Sequence, residues 1–322
     1  MNQDFKKLCG EYLEYCRFEK GLSENSLRAY AYDLSGLAAY KEANCEDAGW
    51  GIAGELLEKQ FWHRYLTELA FSRSARTVKR KEACFTGFFH FLREKEIVSE
   101  NPFEKFCFKL KVTRTVPETL SLNEIKRILT AAYRLDPREA AGMTAAMASY
   151  VRLRDIAVLE LLFATGMRVH ELCGLTFAAY SAERGTIRVL GKGGKERMLY
   201  LANSDVQKAL ARYLDSRGRN RFSGEKIFLN RMGRPLSCQA VREIVSKYCR
   251  RAGIDRRITP HSFRHTFASM LLEEGVELRY IQEFLGHSSI TTTQIYLHTS
   301  EKRKREILAE LHPRKKIAKT IK

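Results

Sequence analysis

The chain has 322 residues, 44% of them apolar, which is enough for two ordinary domains with separate cores and too apolar for a disordered protein. Its formal net charge of +18 argues against an enzyme of small neutral metabolites and for a polyanionic partner, nucleic acid ahead of an acidic membrane surface. No window approaches the roughly 18 consecutive apolar residues of a membrane span, and the eight cysteines include no C-x-x-C pair that would suggest zinc or a disulfide framework.

The N-terminus, MNQDFKKLCGEYLEY, mixes acids with bases and resembles neither a secretory signal nor a transit peptide, so a cytoplasmic, nucleoid-associated protein is expected. Phe5, Leu8, Tyr12, Leu13 and Cys16 form a first helical stripe. After Gly21, Ser23 can cap a second helix to about Tyr40, with Leu27, Tyr30, Leu34 and Leu37 inward. A loop around Trp50 leads to a third helix near Leu56–Leu69. Ser74 then caps a fourth, whose apolar face is Val78, Cys84, Phe85, Phe88, Phe89 and Leu92. That helix opens with Arg76, Lys79, Arg80 and Lys81, a run that reads equally as a solvated face and as contacts to backbone phosphates. Asn101-Pro102 ends the helical unit. The division expected is residues 1–110, a basic linker at 111–117, and a second domain at 118–322.

In the second domain Ser121 and Glu124 form a capping box for a helix through about Tyr133. The segment Leu135–Val151, with Pro137 and Gly142 as breakers, carries no assignable role. Arg154–Thr165 is an apolar helix buried on nearly all sides, followed by Gly166-Met167-Arg168. Alone, Arg168 reads as the partner of Glu171 in a salt bridge. Strands are expected at Thr186–Leu190 and Arg197–Leu201, joined by the turn Gly191-Lys192-Gly193-Gly194-Lys195. No Ser or Thr follows the lysine and a strand comes next, so this is no phosphate-binding Walker loop. Helices follow near Asp205–Leu214 and Ser237–Ala252.

Thr259-Pro260 starts a helix in which Phe263, Phe267, Met270 and Leu271 recur at helical spacing, and Gly275 ends it. His261 and Arg264 are three apart and share a face at its open end. A second helix, Glu277–Leu285, buries Ile281, Phe284 and Leu285 and stops at Gly286, immediately before His287. A polar turn then delivers Tyr296. His261 and His265 lack the glutamate of H-E-x-x-H, and no carboxylate cluster could hold magnesium, so neither a metal nor a cofactor is expected.

This combination of H-x-x-R, L-G-H and a tyrosine nine residues later resembles the signature of the tyrosine recombinases, or phage-type integrases, with the Xer-like subgroup nearest in wording. TGMRVHEL resembles the same family's first catalytic-arginine box, and G-K-G-x-K-x-R its β-hairpin. The resemblance is specific from Arg154 to about His312 and loose before residue 110. It implies a catalytic set of Arg168, Lys192 (with Lys195 as fallback), His261, Arg264, His287 and the nucleophile Tyr296. In that reading Tyr296 forms a 3′-phosphotyrosyl ester, the arginines hold the phosphate, Lys192 protonates the leaving 5′-oxygen, and the histidines assist.

The fold implied is mainly α with a small antiparallel β-sheet, a two-domain DNA clamp of a four-helix, SAM-like core-binding domain and a catalytic domain. The partners implied are double-stranded DNA recombination sites and further protomers, as a homo-oligomer, a tetramer on DNA, or a pair with a related recombinase. No membrane and no small-molecule substrate is implied. A helix at Glu301–Leu311, with Ile307, Leu308 and Leu311, is expected to dock on a neighbouring protomer ahead of a basic tail. A type IB topoisomerase-like enzyme and a non-catalytic site-specific DNA-binding protein are the alternatives.

Overall fold

The structure is a computed structural model that describes the chain apart from residues 1, 45–54, 105, 107, 109, 111–117, 135–141, 192–195, 220–221, 287–300 and 318–322. The chain divides into two compact units, Met1–Thr115 and Val116–Lys322. The expected linker at 111–117 and the loop around Trp50 lie outside the described residues.

The first unit consists of α1 (Asn2–Phe18), α2 (Glu24–Asn44), α3 (Lys59–Ser72) and α4 (Ala75–Glu94). Two starts follow directly from capping serines: Ser23 accepts the Ser26 amide at α2, and Ser74 accepts that of Thr77 at α4. The third helix begins at Lys59, later than expected, because Glu55–Leu57 forms a separate 3-10 turn. The expected stripes meet in an aromatic core around fully buried Trp62, whose ring lies 4.6–5.6 Å from those of Phe61, Phe85, Phe89 and Phe103. Its indole N–H donates to the Leu56 carbonyl at 2.8 Å, so the burial leaves no orphan donor.

The second unit is built around α6 (Ala145–Thr165), in which every residue from Arg154 to Thr165 is buried. This helix starts nine residues before the expected Arg154, because Thr144 caps the Met147 amide and Ala145, Ala146 and Ala148 favour helix. Around it pack α5 (Leu122–Tyr133), opened by the Ser121–Glu124 capping box, α7 (Val169–Gly174), α8 (Ser204–Arg219), α9 (Cys238–Arg251) and α10 (Pro260–Glu273). A three-stranded antiparallel sheet, β1 (Tyr180–Ser181), β2 (Thr186–Leu190) and β3 (Glu196–Tyr200), pairs Ile187 with Leu199 and Arg188 with Met198. The expected hairpin is present. The two-residue β1 is too short for any periodicity to reveal. The architecture is the expected one, mainly helical with a small antiparallel sheet.

Two further helices, α11 (Leu278–Leu285) and α12 (Glu301–Leu311), pack with α10 in a second apolar cluster. In this single chain the tail helix, expected to dock on a neighbouring protomer, packs against its own unit. Ile307 and Leu308 are 6% and 3% exposed and sit among Phe267, Leu271, Ile281 and Phe284 of their own unit. The segment beyond is equally engaged: His312 bonds the Ala164 carbonyl at 2.7 Å, and Arg314 forks onto Glu160 at 2.8 Å through two nitrogens. Arg314 is therefore an interior charge paired with an acid of the central helix, and not part of a solvated basic tail. Among the described residues no helix is long and apolar enough to cross a membrane.

Candidate active site

The ends of four helices converge. The first is the C-terminus of α6, closed by Gly166 in the left-handed conformation (φ 59°). A Cβ at Gly166 would lie 2.7 Å from Phe267 and 3.0 Å from Leu285, so only glycine permits the turn and the close packing together. Two residues on, Arg168 starts α7 with its own amide bonded to Glu171 at 2.7 Å and its guanidinium to the same carboxylate at 3.1 Å. The salt bridge expected for Arg168 is thus present, and it orients the side chain instead of excluding it from a site.

Thr259 caps α10 and Pro260 occupies its first turn. This places His261 at the exposed rim and turns Arg264 inward, where it is 6% exposed. Arg264 donates to the Gly166 carbonyl at 2.8 Å and to the Leu285 carbonyl at 2.7 Å. Arg168 reaches the same helix end, with a 3.3 Å bond to the Gly286 carbonyl and a long 3.5 Å approach to that of Leu285. Both guanidiniums are therefore fixed by carbonyls at the C-terminus of α11, where dipole and orphan acceptors favour cations. Gly286, at φ 64°, ends that helix and His287 is the next residue in the chain.

A third guanidinium enters from the sheet. Arg197, near the start of β3, binds both oxygens of Glu171 at 2.7 and 2.8 Å and donates to the Phe284 carbonyl at 3.1 Å. Among the described residues Arg168 and Arg197 thus share one carboxylate, Glu171, and buried Arg264, held by the Gly166 and Leu285 carbonyls, adds a third positive charge beside them. Burial, and next to it the charge of Arg168, pull Arg264 down to about 10. Burial works to raise the Glu171 pKa, but hydrogen bonds from Arg197 and from Arg168 outweigh it and hold the carboxyl below its usual value. His261 is lowered by burial and then by Arg264, His265 and Arg168, so it is neutral near pH 7 and able to accept a proton. A cluster of this charge is suited to an anion with several oxygens, such as a phosphodiester.

Of the residues singled out in the sequence, Arg168, His261 and Arg264 are brought together here. Lys192, Lys195, His287 and Tyr296 lie outside the described residues. The basic run of α4 separates into two pairs. Arg76 and Lys79 are exposed, whereas Arg80 and the 4%-exposed Lys81 are both ion-paired with Asp33, which is fully buried on α2. Lys81 in particular is corrected from a surface phosphate contact to a core charge, since it is buried with its ammonium 2.9 Å from the Asp33 carboxylate. Arg197 was not picked out by sequence reasoning, although it is the final residue of the G-K-G-x-K-x-R pattern.

Comparison with known proteins places this geometry. The sequence family described as "Phage integrase family" matches residues 119–303, and "Phage integrase, N-terminal SAM-like domain" matches residues 10–96. A tyrosine recombinase of Agathobacter rectalis is 39% identical over 94% of this chain and 95% of its own. The tyrosine recombinase XerD of Halalkalibacterium halodurans is 34% identical over 94% and 97%. The crystal structure of the XerH site-specific recombinase bound to difH substrate shares the fold, with a TM-score of 0.66 and 24% identity over 92% of this chain and 82% of that one. A family match spanning Arg168, His261 and Arg264, together with near full-length identity to curated members, establishes that the chain belongs to the tyrosine recombinases of the phage integrase family.

Proposed function

We propose that this tyrosine recombinase carries out site-specific strand exchange between duplex DNA sites, with Tyr296 as nucleophile and Arg168, Lys192, His261, Arg264 and His287 as its catalytic partners. The observation that carries the reading is the convergence of Arg168 and Arg264 on one helix end, beside a carboxylate, Glu171, that Arg168 shares with Arg197. A guanidinium has five N–H donors. Arg264 commits two of its N–H groups to Gly166 and Leu285, so others remain for the non-bridging oxygens of a phosphate.

In the proposed reaction the Tyr296 oxygen attacks the scissile phosphorus and gives up its proton to neutral His261, directly or through water. The P–O5′ bond breaks, Lys192 protonates the departing oxygen, and the 3′-phosphate stays on the tyrosine as an ester. Charge that gathers on the non-bridging oxygens is met by Arg168 and Arg264, with His287 as a further donor. A 5′-hydroxyl from a second duplex reverses the step, so the exchange runs through a four-way junction without an external energy source.

The partner is double-stranded DNA bound by both units, consistent with the charge of +18. Four protomers, identical or paired with a related recombinase, would act on two sites. The test begins with duplexes selected by the protein from a random-sequence library. A four-way junction built from the recovered site should be resolved, while plasmid lacking the site stays supercoiled; relaxation of that plasmid without junction resolution would assign a topoisomerase instead.

A further inference from the structure

Glu171 is the hub of the site, with a side chain only 1% exposed, and its two cationic partners grip it unequally. Arg197 covers both carboxylate oxygens at 2.7 and 2.8 Å, whereas Arg168 reaches one of them at 3.1 Å. The forked, bidentate pair is the stronger. Arg197 also donates to Phe284, and a Cβ placed on Gly286 would come within 2.8 Å of its Cδ. Its side chain thus ties β3 to the end of α11, where the chain continues to His287, and it lies five residues after Lys192.

We propose that Arg197 is a positioning residue for strand cleavage: it neutralises Glu171, so that the charge of Arg168 stays available to the scissile phosphate. The proposal rests on the reading of Arg168 and Arg264 as a phosphate clamp. A buried carboxylate needs a cationic partner. With Arg197 in place that need is met by the fork, and the single Glu171–Arg168 bond serves as an orienting contact. Without it, Arg168 is the remaining guanidinium on Glu171 among the described residues. The phosphate would then face an arginine already neutralised.

The test compares Arg197→Met, Glu171→Gln, the double variant and Arg168→Ala. Each is scored for binding to the selected duplex and for the single-turnover rate of covalent complex formation on a nicked version of it. Arg197→Met is expected to bind the site and to cleave at least about 100-fold more slowly than the parent. Removing the carboxylate charge should undo this, so the double variant is expected within about tenfold of Glu171→Gln alone. A purely structural role for Arg197 predicts the opposite, because the double variant has still fewer hydrogen bonds. If Arg197→Met does not fold, the double variant against Glu171→Gln decides. Similar rates support the proposal, and a hundredfold gap or an unfolded double variant overturns it. Arg168→Ala separates the two levels: parental cleavage there would remove the clamp itself, while loss there with normal cleavage by Arg197→Met would spare the clamp and refute the role of Arg197.

Discussion

Arg314 and Glu160 are joined by two 2.8 Å hydrogen bonds and are 2% and 0% exposed, although 154 positions separate them in the chain. The pair pins the segment after α12 to the central helix of the same unit, and Tyr133 donates to the same Glu160 carboxylate at 3.0 Å. Breaking a buried pair from one side leaves an uncompensated charge, a loss of about 3–5 kcal/mol. Arg314→Ala is therefore expected to lower the stability of the second unit by that amount, measured by denaturant unfolding. Deleting residues 301–322 should do at least as much, because Ile307 and Leu308 leave the core with it. A deletion variant as stable as the parent would show that the tail is not seated in its own protomer.

His312 gives this anchor a pH dependence. Its Nδ1 accepts the Arg314 amide at 2.9 Å, so the ring proton sits on Nε2, which donates to Ala164. Burial, with the charge of Arg314, pulls its pKa down to about 4 against the opposing effect of the Ala164 bond. The unfolded chain binds a proton at about 6.5 and the folded one resists until about 4, so the stabilisation is present above that window and is lost as pH falls through it. The stability gap between the parent and His312→Gln should shrink by up to about 3 kcal/mol from pH 7 to pH 4. A gap independent of pH would contradict the buried neutral ring.

The helical stripes, the caps and the hairpin were legible because each depends on spacing within one segment. What escaped depends on partners far apart in sequence. Lys81 falls three after Val78 and four before Phe85, on the apolar stripe itself, yet nothing local names Asp33 on another helix as the acid that holds it there. Arg197 alternates like any strand residue, and its value lies in Glu171, 26 positions away. The narrow stripe of α12 suggested an absent partner, but the groove it fills, between α10 and α11, exists only once those helices have packed. Arg168, His261 and Arg264 were recognisable from motif wording, and the Leu285 carbonyl that the two arginines share was not.

Binding to the selected site is expected to fall steeply with salt. If both units together neutralise about six phosphates, the slope of log affinity against log salt should be about −5 or steeper. Replacing exposed Arg76 and Lys79 with alanine should flatten that slope if those side chains reach phosphates, whereas Lys81→Ala should instead destabilise the first unit. A parental slope near −1 would exclude extended contact with the duplex.

Lys192 and Tyr296 are expected to fail in different ways. Lys192→Ala keeps the nucleophile and lacks the acid for the leaving oxygen. A substrate with sulfur in the 5′-bridging position, whose thiolate departs without a proton, should restore cleavage to Lys192→Ala. It should not restore cleavage to Tyr296→Phe. Rescue of neither variant would remove Lys192 as the acid and direct attention to Lys195.

The Tyr296 oxygen is the atom proposed to form the covalent bond to DNA. The most direct measurement is peptide mapping of the protein–DNA adduct trapped on a nicked suicide duplex, set beside the same reaction with Tyr296→Phe. Removing one oxygen keeps the ring, so site binding should stay within a few-fold of the parent by ordinary conservative-substitution effects. The mapped adduct should lie on Tyr296, and Tyr296→Phe should form none. An adduct on another residue, or covalent complex formed by Tyr296→Phe, would contradict the account.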